Sequence, residues 1–235
     1  MRTIGLIGGM SWESTLPYYR IVNEATRERL GGLHSSRLVL VSVDFHEIER
    51  LQHAGDWTAA GACLADAARA LQSAGADFIV LCTNTMHRVA PAIEAAVTIP
   101  LLHIADATAA AIRADGLTRV GLLGTRFTME QAFYRERLEQ RHGIEVIVPD
   151  EADRTFVHAV IYEELCAGRV LDASRDGYRR VIAGLVARGA EAVILGCTEI
   201  GLLVGDDDAA VPLYDTTRLH ALAAVDRALP GFGSR

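Results

Sequence analysis

The sequence contains no lysine; all 23 of its basic residues are arginine. Pyridoxal phosphate enzymes hold their cofactor as a Schiff base on a lysine amine. That route is closed to this chain, and any chemistry on an amino acid has to proceed without it. Cysteine is sparse too. Cys63, Cys82, Cys166 and Cys197 form no Cys-x-x-Cys pair and accompany no His-x₃₋₅-His spacing, which argues against a zinc site or a dithiol redox motif. A disulfide framework is not expected in a large intracellular chain. No uncharged apolar run approaches the roughly 18 residues of a membrane span. The opening "MRTIGLIGGMSWE" lacks a long apolar core and a small-residue cleavage site, so no signal peptide is expected and the reducing cytoplasm is the expected compartment. With a net charge of −7, nucleic acid and anionic membrane surfaces are not expected partners.

What is present is the composition of a folded protein. Of 235 residues, 50% are apolar and 23% charged, enough for a sizeable core in one large domain or two small ones. Short Val/Ile/Leu-rich runs alternate with longer helical patterns, the sign of βαβ units and a parallel sheet. Strands are expected near 3–8, 37–43, 77–82, 100–102, 118–124, 144–148, 191–196 and 211–214. Helices are expected over 14–30, 58–74, 85–97, 104–114, 128–141, 153–167, 174–188 and 216–228. Runs such as "RLVLVSV" and "FIVL" suit a sheet covered on both faces.

The chain also repeats itself. "IGLIGGMSWESTLPYY" from Ile4 aligns with "VGLLGTRFTMEQAFYR" from Val120, which sets Gly5 on Gly121, Gly8 on Gly124 and Tyr18 on Tyr134. "GADFIVLCTNTMHR" from Gly75 returns as "GAEAVILGCTEIG" from Gly189, and "IPLL" later returns as "VPLY". The expected architecture is therefore α/β, with two pseudo-symmetric, doubly wound parallel-sheet domains facing a shared cleft. Residues 1–116 form the first and 117–228 the second; the chain end crosses back onto the first, and 229–235 is a tail expected to fray.

Ligands of open parallel sheets bind beyond the carboxyl ends of the strands. Cys82 and Cys197 each end such a run and are each followed by threonine. Both precede a candidate helix start, whose positive end is expected to lower a thiol pKa from about 8.5. The hydroxyl, amide and backbone N–H groups of Thr83, Asn84, Thr85 and Thr198 suit a carboxylate. One sulfur from each half, on opposite sides of an α-carbon, could remove a proton from one face and deliver one to the other. Fixed N–H donors would stabilise the charge that spreads into the carboxylate.

On "GLIGGMSWEST" (Gly5 to Thr15), "CTNTMH" (Cys82 to His87), "GLLGT" (Gly121 to Thr125) and "GCTEI" (Gly196 to Ile200), the chain resembles the aspartate/glutamate racemase family. The resemblance spans essentially the whole sequence and is nearest to the aspartate racemase and broad-specificity branch. It implies a cofactor-independent amino-acid racemase, usually a homodimer, in which Cys82 and Cys197 transfer the proton. It also implies that Asn84, Thr85, Thr125 and Thr198 help hold the substrate carboxylate or amine. Related aspartate racemases place a lysine of the second half near the substrate's side-chain carboxylate. This chain has none; Arg154 or another arginine such as Arg50 is a candidate to stand in, but arginine is not an equivalent substitute, and a neutral or bulkier amino acid stays open as substrate.

Further candidates come from position. The Gly8-Gly9 turn is not G-x-G-x-x-G and is not expected to bind a dinucleotide. It is expected to bring backbone close to substrate at Met10, with Ser11 or Ser14 capping the next helix. Asp44, near a strand end, is a candidate for orienting the amine or a nearby polar group, or is an ordinary strand-end carboxylate. Glu199 could polarise Cys197, contact an ammonium group or cap its own helix. His87 is expected to be structural, and Cys63 and Cys166 are expected to be core residues. Other readings remain open: a hydantoin racemase, cis–trans isomerase or malonate decarboxylase of the same superfamily, a thiol hydrolase using Cys82 with His87, or a non-catalytic amino-acid binder.

Overall fold

A computed structural model describes residues 1–231. The chain divides into two compact units, one made of Met1–Ile104 together with the chain from His220 on, the other of Ala105–Leu219. The chain thus passes from one unit to the other at 104/105 and returns at 219/220; the expectation was a boundary at 116/117 with the chain end crossing back onto the first domain. The first passage lies at the start of a helix, whose remaining residues count with the second unit. The last helix is divided as well, with its residues from His220 on counted with the first.

In the first unit the order is β1 (Ile4–Gly8), α1 (Trp12–Leu30), β2 (Leu38–Ser42), α2 (Phe45–Ala54), α3 (Trp57–Ser73), β3 (Phe78–Leu81), α4 (Ala90–Ala96) and β4 (Leu101–Leu102). The strands pair in parallel in the order β2-β1-β3-β4. All residues of β1 and β3 are buried, as expected for central strands with layers on both faces. One face packs Ile7, Ile79 and Leu81 against Leu64, Ala68 and Leu71 of α3. The other packs Ile4, Leu6, Phe78 and Val80 against Tyr18 and Val22 of α1 and against Ala221, Ala224 and Val225 near the chain end.

After α5 (Ile104–Ala114) the second unit runs β5 (Arg119–Gly124), α6 (Arg126–Glu130), α7 (Ala132–Glu136), β6 (Glu145–Ile147), α8 (Glu151–Ala159), α9 (Asp172–Ala187), β7 (Ala192–Gly196) and β8 (Leu213–Asp215), and α10 (Thr216–Ala228) follows. Its strands pair in parallel in the order β6-β5-β7-β8. This is the first sheet's order again: the second strand lies outside the first, and the third and fourth follow on the other side. The central faces carry Leu123, Val193 and Leu195 onto Tyr178, Val181, Ile182 and Leu185 of α9.

Three expected helices are broken and one further helix appears; the helix expected over 85–97 begins as a 3-10 turn at Thr85–Val89 before α4. The stretch expected as one helix over 128–141 is α6, a break at Gln131, α7 and a π-turn at Arg137–Arg141. The 153–167 helix passes from α8 into a π-turn at Val160–Glu164 and a 3-10 turn at Leu165–Ala167. Helix α2 was not expected. Asp44 is its N-cap, with the side chain accepting from His46 N–H at 3.1 Å, and Gly55 closes it in the left-handed region. Of the tail, Leu229 is buried against the first unit's core, whereas 232–235 lie outside the described residues.

Gly9 shows what the sheet demands of the turn after β1. Its φ is +89°, and a Cβ there would sit 2.3 Å from the Val43 carbonyl oxygen. Gly9→Ala is therefore expected to lower the unfolding free energy by about 1–3 kcal/mol through overpacking beyond the strain of the positive φ. Gly31→Ala, also at positive φ but with open space around it, is the control. Urea unfolding should show the larger loss at Gly9.

Candidate active site

Each sheet reverses its winding direction between its first and third strands, and ligand crevices of open α/β sheets form outside the carboxyl ends at such a switch point. In the first unit the switch lies between β1 and β3, paired from Ile4↔Phe78 to Ile7↔Leu81. In the second it lies between β5 and β7, paired up to Gly124↔Gly196. Cys82 directly follows β3 and Cys197 directly follows β7. Cys82 N–H donates to Ile7 O at 2.9 Å, so this residue continues the ladder and takes its position from the sheet.

Cys82 is fully buried among Val80, Tyr18 and Ala221. Its Sγ lies 3.8 Å from Val80 O. Burial pushes the thiol pKa far above its ordinary 9.0, since a thiolate there would lose its hydration. After it, Thr83, Asn84 and Thr85 are all buried, and the chain enters a 3-10 turn at Thr85–Val89. The imidazole of His87 folds back with Nδ1 2.7 Å from Thr83 O. That is the structural role expected of it, and it contacts the loop's backbone.

Cys197 is 8% exposed, and its Sγ donates to Glu199 Oε2 at 3.0 Å. Thr198 Oγ1 donates to the same oxygen at 2.8 Å. Burial raises this thiol's pKa most, and the adjacent negative charge of Glu199 raises it further. Both effects disfavour the thiolate. The expected lowering by helix N-termini is overturned at both cysteines. Only 3-10 turns follow, Thr85–Val89 and Ile200–Leu202, and such short elements supply too little dipole to offset desolvation.

The sheets also decide which other candidates gather. Thr125 follows β5, beside the strand that carries Cys197, and caps α6 by accepting from Thr128 N–H at 3.3 Å. Met10 follows β1, but its side chain is buried in the α3-facing core. Ser11 is the N-cap residue of α1, without a side-chain cap hydrogen bond. Thr15 organises that turn instead: its Oγ1 accepts from Gly9 N–H at 2.9 Å and donates to Ser11 O at 2.8 Å. Asp44 is an exposed helix cap, and Arg50 is exposed on α2 with no ion pair among the described residues. Arg154 is committed elsewhere, to Glu130 Oε1 at 2.9 Å and to Pro149 O at 2.8 Å. Among the described residues no group of three or more His, Cys, Asp and Glu side chains could hold a metal ion, and no helix is long and apolar enough to cross a membrane.

The fold gathers His103 and His220 beside His87, with Tyr18 on His220. The ring centroids of His87 and His103 are 4.3 Å apart, and those of His87 and His220 are 5.9 Å apart. His220 is held between Tyr18 OH on Nδ1 and Leu102 O on Nε2, each at 2.9 Å. No local signal joins positions so far apart in the chain. Burial lowers the His220 pKa from 6.5 to about 4. Below pH 6.5 the unfolded chain therefore takes up a proton that the native protein refuses. The contribution of His220 to stability is whole above pH 6.5 and is lost as the pH falls toward 4, a loss of about 3 kcal/mol. The expected result is a native-minus-variant stability difference against His220→Gln that shrinks over that range in urea titrations.

Comparisons with known proteins agree on one family. The model of the Asp/Glu/Hydantoin racemase family matches residues 7–224. The broad-specificity amino-acid racemase RacX of Bacillus subtilis (strain 168) is 24% identical over 229 residues, covering 94% of this chain and 96% of that protein. A crystal structure from Yersinia pestis, assigned as an Asp/Glu racemase, superposes with a TM-score of 0.90 at 60% identity, covering 97% of this chain and 99% of the other. That of an aspartate racemase homologue from Pyrococcus horikoshii OT3 gives 0.83 at 34% identity, with the same coverage.

Proposed function

We infer a mechanism from one premise: this chain belongs to the Asp/Glu/Hydantoin racemase family and is an amino-acid racemase, an isomerase. It inverts the α-carbon without pyridoxal phosphate, by two-base proton transfer between Cys82 and Cys197. The observation that carries this reading is the matched placement of the two thiols, each at the carboxyl end of the third strand of its own 2-1-3-4 sheet. The absence of lysine from the sequence supports the exclusion of a Schiff base.

In the free protein burial holds both sulfurs as thiols, so a base has to be generated. Glu199 supplies the means for one of them. Its carboxylate already accepts the Cys197 S–H at 3.0 Å and can take that proton to leave a thiolate. That thiolate removes the substrate's α-proton while Cys82 S–H gives its proton to the opposite face. In the reverse direction Cys82 abstracts and Cys197 donates. The backbone N–H and hydroxyl groups of Thr83, Asn84 and Thr85, with those of Thr125 and Thr198, hold the carboxylate into which carbanion charge spreads. With Cys82 fully buried, the protein around it has to open for an amino acid to enter.

The substrate range extends to amino acids without a side-chain carboxylate. Arg154 is engaged by Glu130, which leaves Arg50 to serve an acidic side chain. The protein works in the cytoplasm and as a homodimer. The stripe of exposed Trp12, Leu16 and Tyr19 on α1 supports self-association, since such patches mark contact surfaces.

Cys82→Ser and Cys197→Ser, made separately, are each expected to cut racemisation by about 10²–10⁴-fold. The assay follows α-deuterium incorporation and inversion in D₂O across both enantiomers of the proteinogenic amino acids, without added cofactor. Full activity in either variant would count against two bases. Exchange confined to aspartate and glutamate would narrow the substrate range, and no exchange with any amino acid would indicate a binder. Glu199→Gln is expected to slow α-proton exchange unequally from the two enantiomers, with the larger loss for the one whose proton Cys197 removes, while kcat/KM for inversion falls equally in both directions. Equal losses in isotope exchange from L- and D-substrate would exclude Glu199 as that proton's acceptor.

A further inference from the structure

His87 is 2% exposed and has both ring nitrogens engaged by backbone. Nε2 lies 3.2 Å from the amide nitrogen of Ile104. That N–H can only donate, so Nε2 is the bare nitrogen and Nδ1 carries the hydrogen, donated to Thr83 O at 2.7 Å. A neutral imidazole of this one tautomer satisfies both contacts; a second proton would set N–H against N–H. The two ends of the bridge are not arbitrary. Thr83 is the residue directly after Cys82. Ile104 opens α5 and is the last residue of the first unit before the chain passes to the second. Its amide is one of the N–H groups that a helix start leaves without an intrahelical acceptor. The neighbouring His220, the first residue after the chain returns, is fixed by Tyr18 and Leu102. His103 lies against the His87 ring.

We propose that His87 is a positioning residue for Cys82: its neutral imidazole fastens the carbonyl that follows the cysteine to the amide at which α5 begins. The loop bearing the sulfur and the point where the chain leaves the first unit are thereby held as one body. Sheet pairing locates the cysteine backbone, and the His87 bridge fixes the direction in which the chain leaves it. The polar groups of Thr83, Asn84 and Thr85 depend on that direction. Catalysis is sensitive to such placement, since a misplacement of about 1 Å can cost on the order of 100-fold in rate. The inference rests on the reading of Cys82 as a proton-transfer group.

The test compares the native protein with His87→Phe, which keeps a ring but loses both bonds, and His87→Gln, which can restore one. Circular dichroism first establishes that each variant folds. Three quantities are then read: amide hydrogen exchange at Ile104, the rate of iodoacetamide labelling at Cys82, and kcat and KM with an amino acid that the native protein turns over. In the Phe variant, Ile104 is expected to exchange at least about tenfold faster, Cys82 to label faster, and kcat to fall by on the order of 10–100-fold with KM nearly unchanged. The Gln variant is expected to recover part of the kcat. The proposal is overturned if folded variants show native exchange and labelling, or if kcat and KM move only in step with a reduced folded fraction. Should the Phe variant not fold, a Gln variant matching the native protein in all three readouts also overturns it. If the native protein turns over no amino acid, the racemase reading fails by itself, and exchange and labelling still decide whether His87 positions the loop.

Discussion

The structure depends on the parallel pairing of the first strand of each sheet with the third. Pairing β1 with β3, and β5 with β7, makes the chain wind outward in one direction from the seam and then in the other, so the loops leaving the paired strands diverge. The residues at that divergence have little room. A Cβ on Gly196 would lie 2.7 Å from the Leu123 carbonyl oxygen, and Gly9 is pressed against Val43. Cysteine is among the few reactive residues small enough to follow directly. Cys82, hydrogen-bonded through its amide to Ile7, inherits the rigidity of the sheet, which is what the proposed proton transfer at a single carbon atom requires.

The same burial that makes the position rigid makes the thiols reluctant to ionise. Both sulfurs are held protonated by desolvation, but their surroundings differ. Cys82 faces Val80 O and apolar side chains, whereas Cys197 donates to a carboxylate that also receives the Thr198 hydroxyl. A repeated architecture thus carries unequal chemistry. Under the proposed mechanism one sulfur has a proton acceptor built in and the other relies on the substrate complex, an asymmetry matched to a pair of groups that must be acid and base by turns.

Much of the fold was legible because parallel central strands are written as short, continuous apolar runs. "FIVL" and "AVILG" fall on β3 and β7, and the internal repeat anticipated two sheets of identical order. Helix α2 was missed although its signals are local: Asp44 at the N-cap, Glu47 three residues on, and Gly55 at the end. The breaks at Gln131 and at Val160–Glu164 carry no comparable signal, because the apolar period continues through them. Nor did any pattern show that the boundaries between the units would fall at 104/105, at the start of α5, and at 219/220, within the last helix.

Sequence alone determined that the chain holds no lysine and where its sulfur atoms stand along it. A doubled Cys-Thr after a buried apolar run marks two equivalent strand ends. Tertiary structure decided the state of those atoms. It buried both thiols, set Glu199 on Cys197, drew Arg154 to Glu130, and gathered Tyr18, His87, His103 and His220 into one cluster. A strand's apolar run is a property of neighbours in sequence. Desolvation and hydrogen-bond partnership are set by groups brought together from distant parts of the chain, and they take definite values only once the layers have packed.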